Sequence, residues 1–580
     1  MPIRRITAEH ALYLFAFVIG CFFRLYNLGS TPLSDFEASH ALQALAQPLD
    51  ANSISSVAPA YIILTRATFD VFGSSDLLAR FWPALAGSFL VLAPLFFRRE
   101  LGQKAALILA FGLALDPGLV AISRLAGGAM LAIAFTFFAL GWMWTGFPTL
   151  AGVFAASALL SGSTSIVGIS IFLVVWGTAR LVHIPFPSLH PIPDFKARIR
   201  PALAATGITF LAAGTFFLFR TADLSSIATG MAGYFSGWAS TSEKSAVQML
   251  FMLLIYAPLP FLFILTQVIY WLVRQSISEE SIKAPPAGTL LWLAASILIV
   301  FIYPGKQAWD LGWIIIPMWV FTAQTLSQML PERKPHVISL ILAGTIFTLL
   351  ALFWNTLVSS RQIVAFSAFN LPENVSRLLI QLILFIGVIG LGGLSALLVS
   401  LGWSPKTSRD GLVIGLTAGF VFYSISAMWG VSQLRQNRPE ELWSPGPAAG
   451  QVGLFLDTIH QVSEQNSGFD KTIDILSIIT SPSMRWALRN FPRAGYANGV
   501  PPGESPSVVI TRQEGENPTL EAAYRGQDFS WSVAPGWSGD LPMDLLEWLL
   551  ARQAPVIEKQ VILWVRSDLF PGEQVNSAIE

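Results

Sequence analysis

Apolar stretches close to the thickness of a bilayer recur along the first 430 residues, and no other feature constrains the fold as tightly. A helix needs about 20 apolar residues to cross roughly 30 Å of hydrocarbon. Inside lipid, only helices and closed barrels satisfy their own backbone groups. The stretches lie near 10–28, 77–97, 104–122, 126–144, 165–182, 201–219, 247–273, 289–303, 309–329, 337–358, 377–401 and 411–430, with shorter candidates at 57–72 and 148–160. They predict a polytopic α-helical membrane protein with about 13 transmembrane helices, one of the short segments not being a full crossing. Only 12% of the 580 residues are Asp, Glu, Lys or Arg, half of the roughly 25% usual in soluble domains. That excludes a soluble single-core enzyme, and the apolar content excludes disorder.

The charge is unevenly placed. Residues 431–580 carry 11 Lys+Arg against 18 Asp+Glu, leaving 24 against 17 for residues 1–430. Net neutrality therefore hides two bodies, a membrane domain over 1–430 and a water-facing domain over 431–580. Lys and Arg in short loops set orientation. Arg4 and Arg5, Lys196 to Arg200, Arg333-Lys334 and Lys406 to Arg409 put the N-terminus and alternate loops in the cytoplasm. Everything after residue 430 then lies outside, and an inside start with an outside end requires an odd number of crossings.

The last 150 residues read as a small extracytoplasmic α/β domain. Gln451 to Val462, Pro482 to Phe491 and Met543 to Arg552 have helical spacing, while Ile473–Ile479, Ser507–Ile510 and Val561–Val565 are apolar runs of strand length. Alternating elements of this kind predict a sheet with helices packed on it.

The first outer loop, residues 29–58, is acidic and opens with Ser34-Asp35-Phe36-Glu37-Ala38-Ser39-His40. Ser34 with Glu37 three residues on is a capping box. The same spacing sets Glu37 and His40 on one helical face with Asp35 at its first turn. Such a set could hold a divalent cation or take a proton from a hydroxyl at the membrane surface. Three other polar blocks stand out against the apolar background: Gly73-Ser-Ser-Asp76-Leu-Leu-Ala-Arg80, Asp116-Pro-Gly-Leu-Val-Ala-Ile-Ser-Arg124, and Tyr303-Pro-Gly-Lys306-Gln307-Ala-Trp-Asp310.

In this order the blocks resemble the GT-C membrane glycosyltransferases, the branch of the protein O-mannosyltransferases and aminoarabinose transferases with its bacterial and archaeal relatives. The tail is similar too, in Met484-Arg-Trp-Ala-Leu-Arg-Asn-Phe491 and Leu563-Trp-Val-Arg-Ser-Asp-Leu-Phe570. The resemblance implies a GT-C-like membrane domain and a polyprenyl-phosphate sugar as donor. It also implies inverting transfer to an outer-face acceptor (protein, lipid or glycan) in a prokaryotic plasma membrane. Members carry an adjacent Asp-Glu pair in the first outer loop, whereas this chain has Asp35-Phe36-Glu37.

On that reading Glu37, helped by Asp35, is the base, or the ligand of a divalent cation. Arg124 and Lys306 hold the lipid phosphate, with Arg80, Asp310, Gln307 and His40 as further substrate-binding residues. Arginine suits a phosphate because its planar fork donates two parallel hydrogen bonds, and a leaving phosphate needs fixed cations in a poorly hydrated site. The bland alternative for each cation is that it snorkels to lipid headgroups. Two other functions stay open: a catalytically inactive relative that binds lipid-linked sugars, and a structural subunit of a membrane assembly. No basic, aromatic-interleaved patch points to nucleic acid.

Overall fold

Each apolar stretch forms a helix or a broken pair of helices in the computed structural model, which describes residues 7–45, 58–182, 195–215, 232–240, 244–277, 287–331, 334–359, 373–514, 520–537, 541–542 and 544–570. The chain opens with α1 (Ala8–Leu25), α2 (Asp35–Ala44), α3 (Pro59–Phe72), α4 (Asp76–Leu90) and the single turn α5 (Arg98–Leu101). It continues through α6 (Gln103–Leu115), α7 (Pro117–Ser123), α8 (Ala129–Thr145), α9 (Pro148–Leu159), α10 (Ser163–Val182) and α11 (Phe195–Gly214). Then follow α12 (Ala246–Tyr256), α13 (Pro258–Ile277), α14 (Ala287–Ile302), α15 (Gly312–Met329), α16 (Val337–Ser359), α17 (Glu373–Gly402) and α18 (Pro405–Trp429). Among the described residues six helices are long and apolar enough to cross a membrane, or eight if each bent pair is one span. Of the basic residues that set the expected orientation, Arg4, Arg5 and Arg333 lie outside the described residues, as does the side chain of Lys196.

The two breaks are written in the sequence. A proline has no N–H to continue the ladder and clashes with the preceding turn. Pro117 starts α7 at 57° to α6, and Pro258 starts α13 at 96° to α12. Small residues let the helices close. A Cβ on Gly112 of α6 would come within 2.3 Å of the Trp319 ring on α15, so only glycine admits that indole.

The C-terminal body is a six-stranded sheet in the order β1-β5-β6-β4-β2-β3, with β1 (Ala448–Ala449), β2 (Ile475–Ser477), β3 (Ala494–Tyr496), β4 (Val508–Arg512), β5 (Tyr524–Pro535) and β6 (Val556–Arg566). β2 runs parallel to β3 and β4, and the remaining pairs are antiparallel. Helix α19 (Val452–Ser467) sends Phe455, Ile459 and Val462 into a core with Phe529, Val561 and Leu563. The two further helices are α20 (Pro482–Ala487) and α21 (Leu545–Ala551). The long strand β5 was not among the expected strands. Its sequence, Tyr-Arg-Gly-Gln-Asp-Phe-Ser-Trp-Ser-Val-Ala-Pro, is polar over its first half and exposed there, so it shows no apolar run. It is held by main-chain pairing along nearly the whole of β6.

Helix α20 seats this body on the N-terminal ends of α2 and α4. Ser483 N–H donates to Asp35 Oδ1 at 2.9 Å, Trp486 Nε1 to Asp76 Oδ1 at 2.6 Å, and Arg489 Nε to Ser74 Oγ at 3.1 Å. Asp35 and Asp76 are the first residues of α2 and α4, where negative charge is favoured by the helix dipole. The sheet body is thereby anchored to the N-termini of two helices that carry site residues.

Candidate functional site

Glu37 and Arg80 meet as a buried ion pair, each 3% exposed. Ser34 caps α2 and the Glu37 side chain returns to the Ser34 N–H, so the capping box fixes where the carboxylate stands. Arg80 Nε donates to Glu37 Oε1 at 2.7 Å and Nη2 to Oε2 at 2.8 Å, a bidentate fork. Ser34 N–H, Ser34 hydroxyl and Ala126 N–H complete five donors to the one carboxylate. Burial alone would push the Glu37 carboxyl up, but Arg80 and these N–H groups hold it below the usual carboxylate range. Arg80 is equally committed: its Nη1 and Nη2 also donate to the carbonyls of Leu28, Thr31 and Pro32.

Arg124, 4% exposed, stands just beyond α7. Its Nη1 donates to the carbonyls of Phe23, Arg24 and Tyr26, and its Nη2 to Asn27 O and Gln436 Oε1. Only its buried Nε has no acceptor among the described residues. Arg80 and Arg124 line one cavity together with Glu37, Ser34 and Thr31. Its far wall comes from the segment that joins α18 to the sheet, with Gln436, Glu441 and Pro447–Ala449. Pro32, Ser34 and Pro447–Ala449 also line a neighbouring cavity of about 200 Å³ against α20.

Asp35 is exposed and turns to Ser483 of the sheet body instead of joining Glu37. Asp35 stands two residues before Glu37, and at about 100° per residue the two side chains leave a helix about 200° apart. A cation held by this pair does not fit these contacts, since one carboxylate is saturated by five donors, two of them from an arginine. Among the described residues no group of three or more His, Cys, Asp or Glu could hold a metal ion.

His40 is buried, with Nδ1 2.9 Å from Phe36 O, and burial pushes its imidazole down. Phe36 stacks on Trp309, which joins α2 to the third polar block. In that block Asp310 accepts from the Gln307 N–H at 2.9 Å in a second capping box, and burial pushes its carboxyl up to about 7. Lys306, Gln307 and Asp310 are not among the residues lining the Glu37–Arg124 cavity. The expected Arg124–Lys306 pairing is therefore not assembled there.

Glu441, which lines the cavity, and Arg24, whose carbonyl accepts from Arg124, are not among the residues the sequence singles out. Glu441 accepts from the Tyr256 hydroxyl and from Arg435 Nε at 2.9 Å, and it lines the same cavity as Glu37. Arg24 lies in the last turn of α1 and is fully buried. The run Arg435-Gln-Asn-Arg-Pro-Glu-Glu441 directly after the last apolar stretch was the available signal for the first.

No protein-family model and no curated protein sequence matches the chain. Solved structures do. ArnT from Cupriavidus metallidurans bound to undecaprenyl phosphate aligns with a TM-score of 0.54 at 12% identity, over 97% of this chain and 99% of that one. The same protein in its apo state gives 0.55 at 13% identity, over 98% and 100%. The chain has the GT-C fold. It is an integral membrane protein of that architecture, and ArnT is a GT-C glycosyltransferase. The archaeal oligosaccharyltransferase AglB from Archaeoglobus fulgidus, in complex with an inhibitory peptide and a dolichol-phosphate, aligns at a TM-score of 0.42 with 12% identity, over 84% of this chain and 64% of that one.

Proposed function

We propose that the chain transfers a sugar from a polyprenyl-phosphate donor to an acceptor on the outer face of the membrane. The observation that carries this reading is the cavity itself. Two arginines and two carboxylates converge at the ends of membrane helices under the sheet body, on a fold shared with a protein solved with undecaprenyl phosphate bound. In the proposed topology the chain crosses the membrane 13 times, with residues 431–580 outside. Arg124 offers its free Nε to the lipid phosphate. The anomeric carbon–oxygen bond to phosphate breaks while the acceptor oxygen bonds the opposite face of the sugar, inverting it. The acceptor proton passes to a cavity carboxylate, and the lipid phosphate leaves with the bonding pair.

Purified protein, offered a panel of undecaprenyl-phosphate sugars, should release undecaprenyl phosphate and glycosylate an outer-envelope acceptor. Glu37→Gln and Glu441→Gln should each be assayed, because loss of the base costs about 10²-fold or more. No turnover with any donor, despite binding of the lipid, would favour the second reading. That reading is an inactive relative that binds lipid-linked sugars, and the saturation of Glu37 by five donors speaks for it. A cysteine placed at exposed Gln465 in a Cys21→Ala background should react with an impermeant maleimide in intact cells. Labelling only after lysis would reverse the topology and remove the outer-face site.

A further inference from the structure

Two buried arginines a hundred positions apart bind helix ends beside one another, Arg24 the end of α6 and the Ser123 hydroxyl of α7, Arg124 the end of α1. Pro117 has no N–H, so the carbonyl of Leu113, four residues earlier, has no helical donor. Arg24 of α1 supplies one. Its Nη2 donates to Leu113 O at 2.8 Å and its Nη1 to Ala114 O at 3.3 Å, while its Nε reaches Ser123 Oγ at 3.1 Å on α7. One side chain thus spans both halves of the broken α6–α7 pair. Arg24 is 0% exposed, and among the described residues it has no ion-pair partner. Gly87 of α4 makes room, since a Cβ there would come within 2.1 Å of Ser123 Oγ and 3.1 Å of Arg24 Nε.

The return contact is the one already described. The last carbonyls of a helix lack donors, and those of Phe23 and Arg24 in α1 and of Tyr26 just past it accept from Arg124, the residue that follows α7. Arg124 thus donates to the backbone of Arg24 itself. Two residues on, Ala126 N–H reaches Glu37 Oε1 at 3.1 Å. We propose that Arg24 and Arg124 form a reciprocal cap, in which Arg24 is a positioning residue that sets the α6–α7 bend and holds Arg124 and the Glu37 contact on the cavity wall. The ligand side of this proposal rests on the lipid-phosphate reading above; the geometric side does not.

A merely stabilising arginine and a positioning one differ in what can replace them. Pro117→Ala restores a peptide donor to Leu113 O, so it should offset the loss of Arg24 in stability while letting α6–α7 straighten. The full-length protein in a Cys21→Ala background, with Ala449→Cys as a reporter on the cavity wall, is compared with Arg24→Met, Arg24→Lys and Arg24→Met/Pro117→Ala. The measurements are melting midpoint, labelling rate by a small water-soluble thiol reagent, and affinity for undecaprenyl phosphate. The double variant should melt nearer the parent than Arg24→Met does, yet label about fivefold faster, as a locally opened wall would. Arg24→Lys, which keeps the charge without the fork, should label equally fast. Affinity for the lipid should fall about tenfold in the same variants, the scale of a misplaced phosphate ligand. Parental labelling in either the double variant or Arg24→Lys would overturn the positioning role. A parent that binds no undecaprenyl phosphate would instead remove the lipid-phosphate reading, with the labelling result still deciding the cap.

Discussion

The membrane body and the sheet body use charge in opposite ways. In the first, Arg24, Glu37, Arg80, Asp116, Arg124 and Asp310 are each at most 4% exposed and each is tied to a helix end or a helix break. From β1 onward, Arg552 is the one buried charged side chain among the described residues. Arg566–Asp568 and Lys471–Asp470 stand at the surface instead. Desolvating a charge is costly unless it is paired and hydrogen-bonded, so an apolar body keeps one only where several acceptors wait for it. A rare charge in a membrane sequence therefore marks a junction of the architecture first. It marks a ligand contact only where a donor or lone pair is left over.

The sharpest way to break this contrast is to leave a carboxylate alone. Arg80→Met strands Glu37 in a buried site and should cost about 3–5 kcal/mol of stability. Glu37→Gln/Arg80→Met, which strands no charge, should recover most of that. Arg566→Ala, at an exposed pair, should cost at most about 1 kcal/mol. Melting of the purified proteins in one detergent reads all three. Equal losses for Arg80→Met and Arg566→Ala would erase the distinction between the two bodies.

Next in size is the pH dependence of Asp310. Its folded-state value of about 7 lies above the ordinary aspartate value of 3.8 because burial disfavours the charge. The folded state then holds a proton that the unfolded state has released. This group's contribution to stability is full below about pH 4 and is lost as pH rises through 7. Raising pH from 4 to 8 should cost wild type roughly 2–4 kcal/mol more than Asp310→Asn, which keeps an acceptor for the Gln307 N–H and carries no charge. His40, whose imidazole is pushed down, acts in the opposite sense but is common to both proteins and cancels in the difference. An identical pH profile for the two would show that Asp310 is hydrated and charged when folded.

Which features were legible follows from the same contrast. The helices could be read because length and apolarity are local properties, but the stretches 104–122 and 247–273 read as continuous and are bent by 57° and 96° at Pro117 and Pro258. Strands β2, β4 and β6 are central or buried on one face and show as apolar runs; β5, half exposed, does not. The acidic capping box of α2 was readable at Ser34 and Glu37, and Arg80 and Arg124 were readable as isolated charges. What no local pattern contains is which acceptors they find. Arg80 meeting Glu37 across 43 residues, Arg124 meeting the end of α1 across about 100, and Glu441 arriving from beyond α18 are products of packing. A phosphate site and a helix-end cap ask for the same residue type, so the sequence offered both roles and the contacts distinguish them.

The smallest effect tests the seam where the two bodies meet. Asp35 is exposed, so its bond to the Ser483 N–H competes with water and is worth about 1 kcal/mol or less. Asp35→Asn keeps an acceptor and should be near neutral, while Asp35→Ala should loosen α20 from α2 and lower the melting midpoint slightly. Transfer separates anchoring from chemistry. If Asp35 only anchors, Asp35→Ala should hold turnover within about threefold of wild type, and Trp486→Phe, which breaks the parallel bond to Asp76, should do the same. A fall of about 10²-fold at an unchanged melting midpoint is the size expected of a lost acid–base group. It would make Asp35 the working carboxylate, with its partner on the sheet body orienting it, and would move the reaction centre from the Glu37 cavity to the seam beside α20.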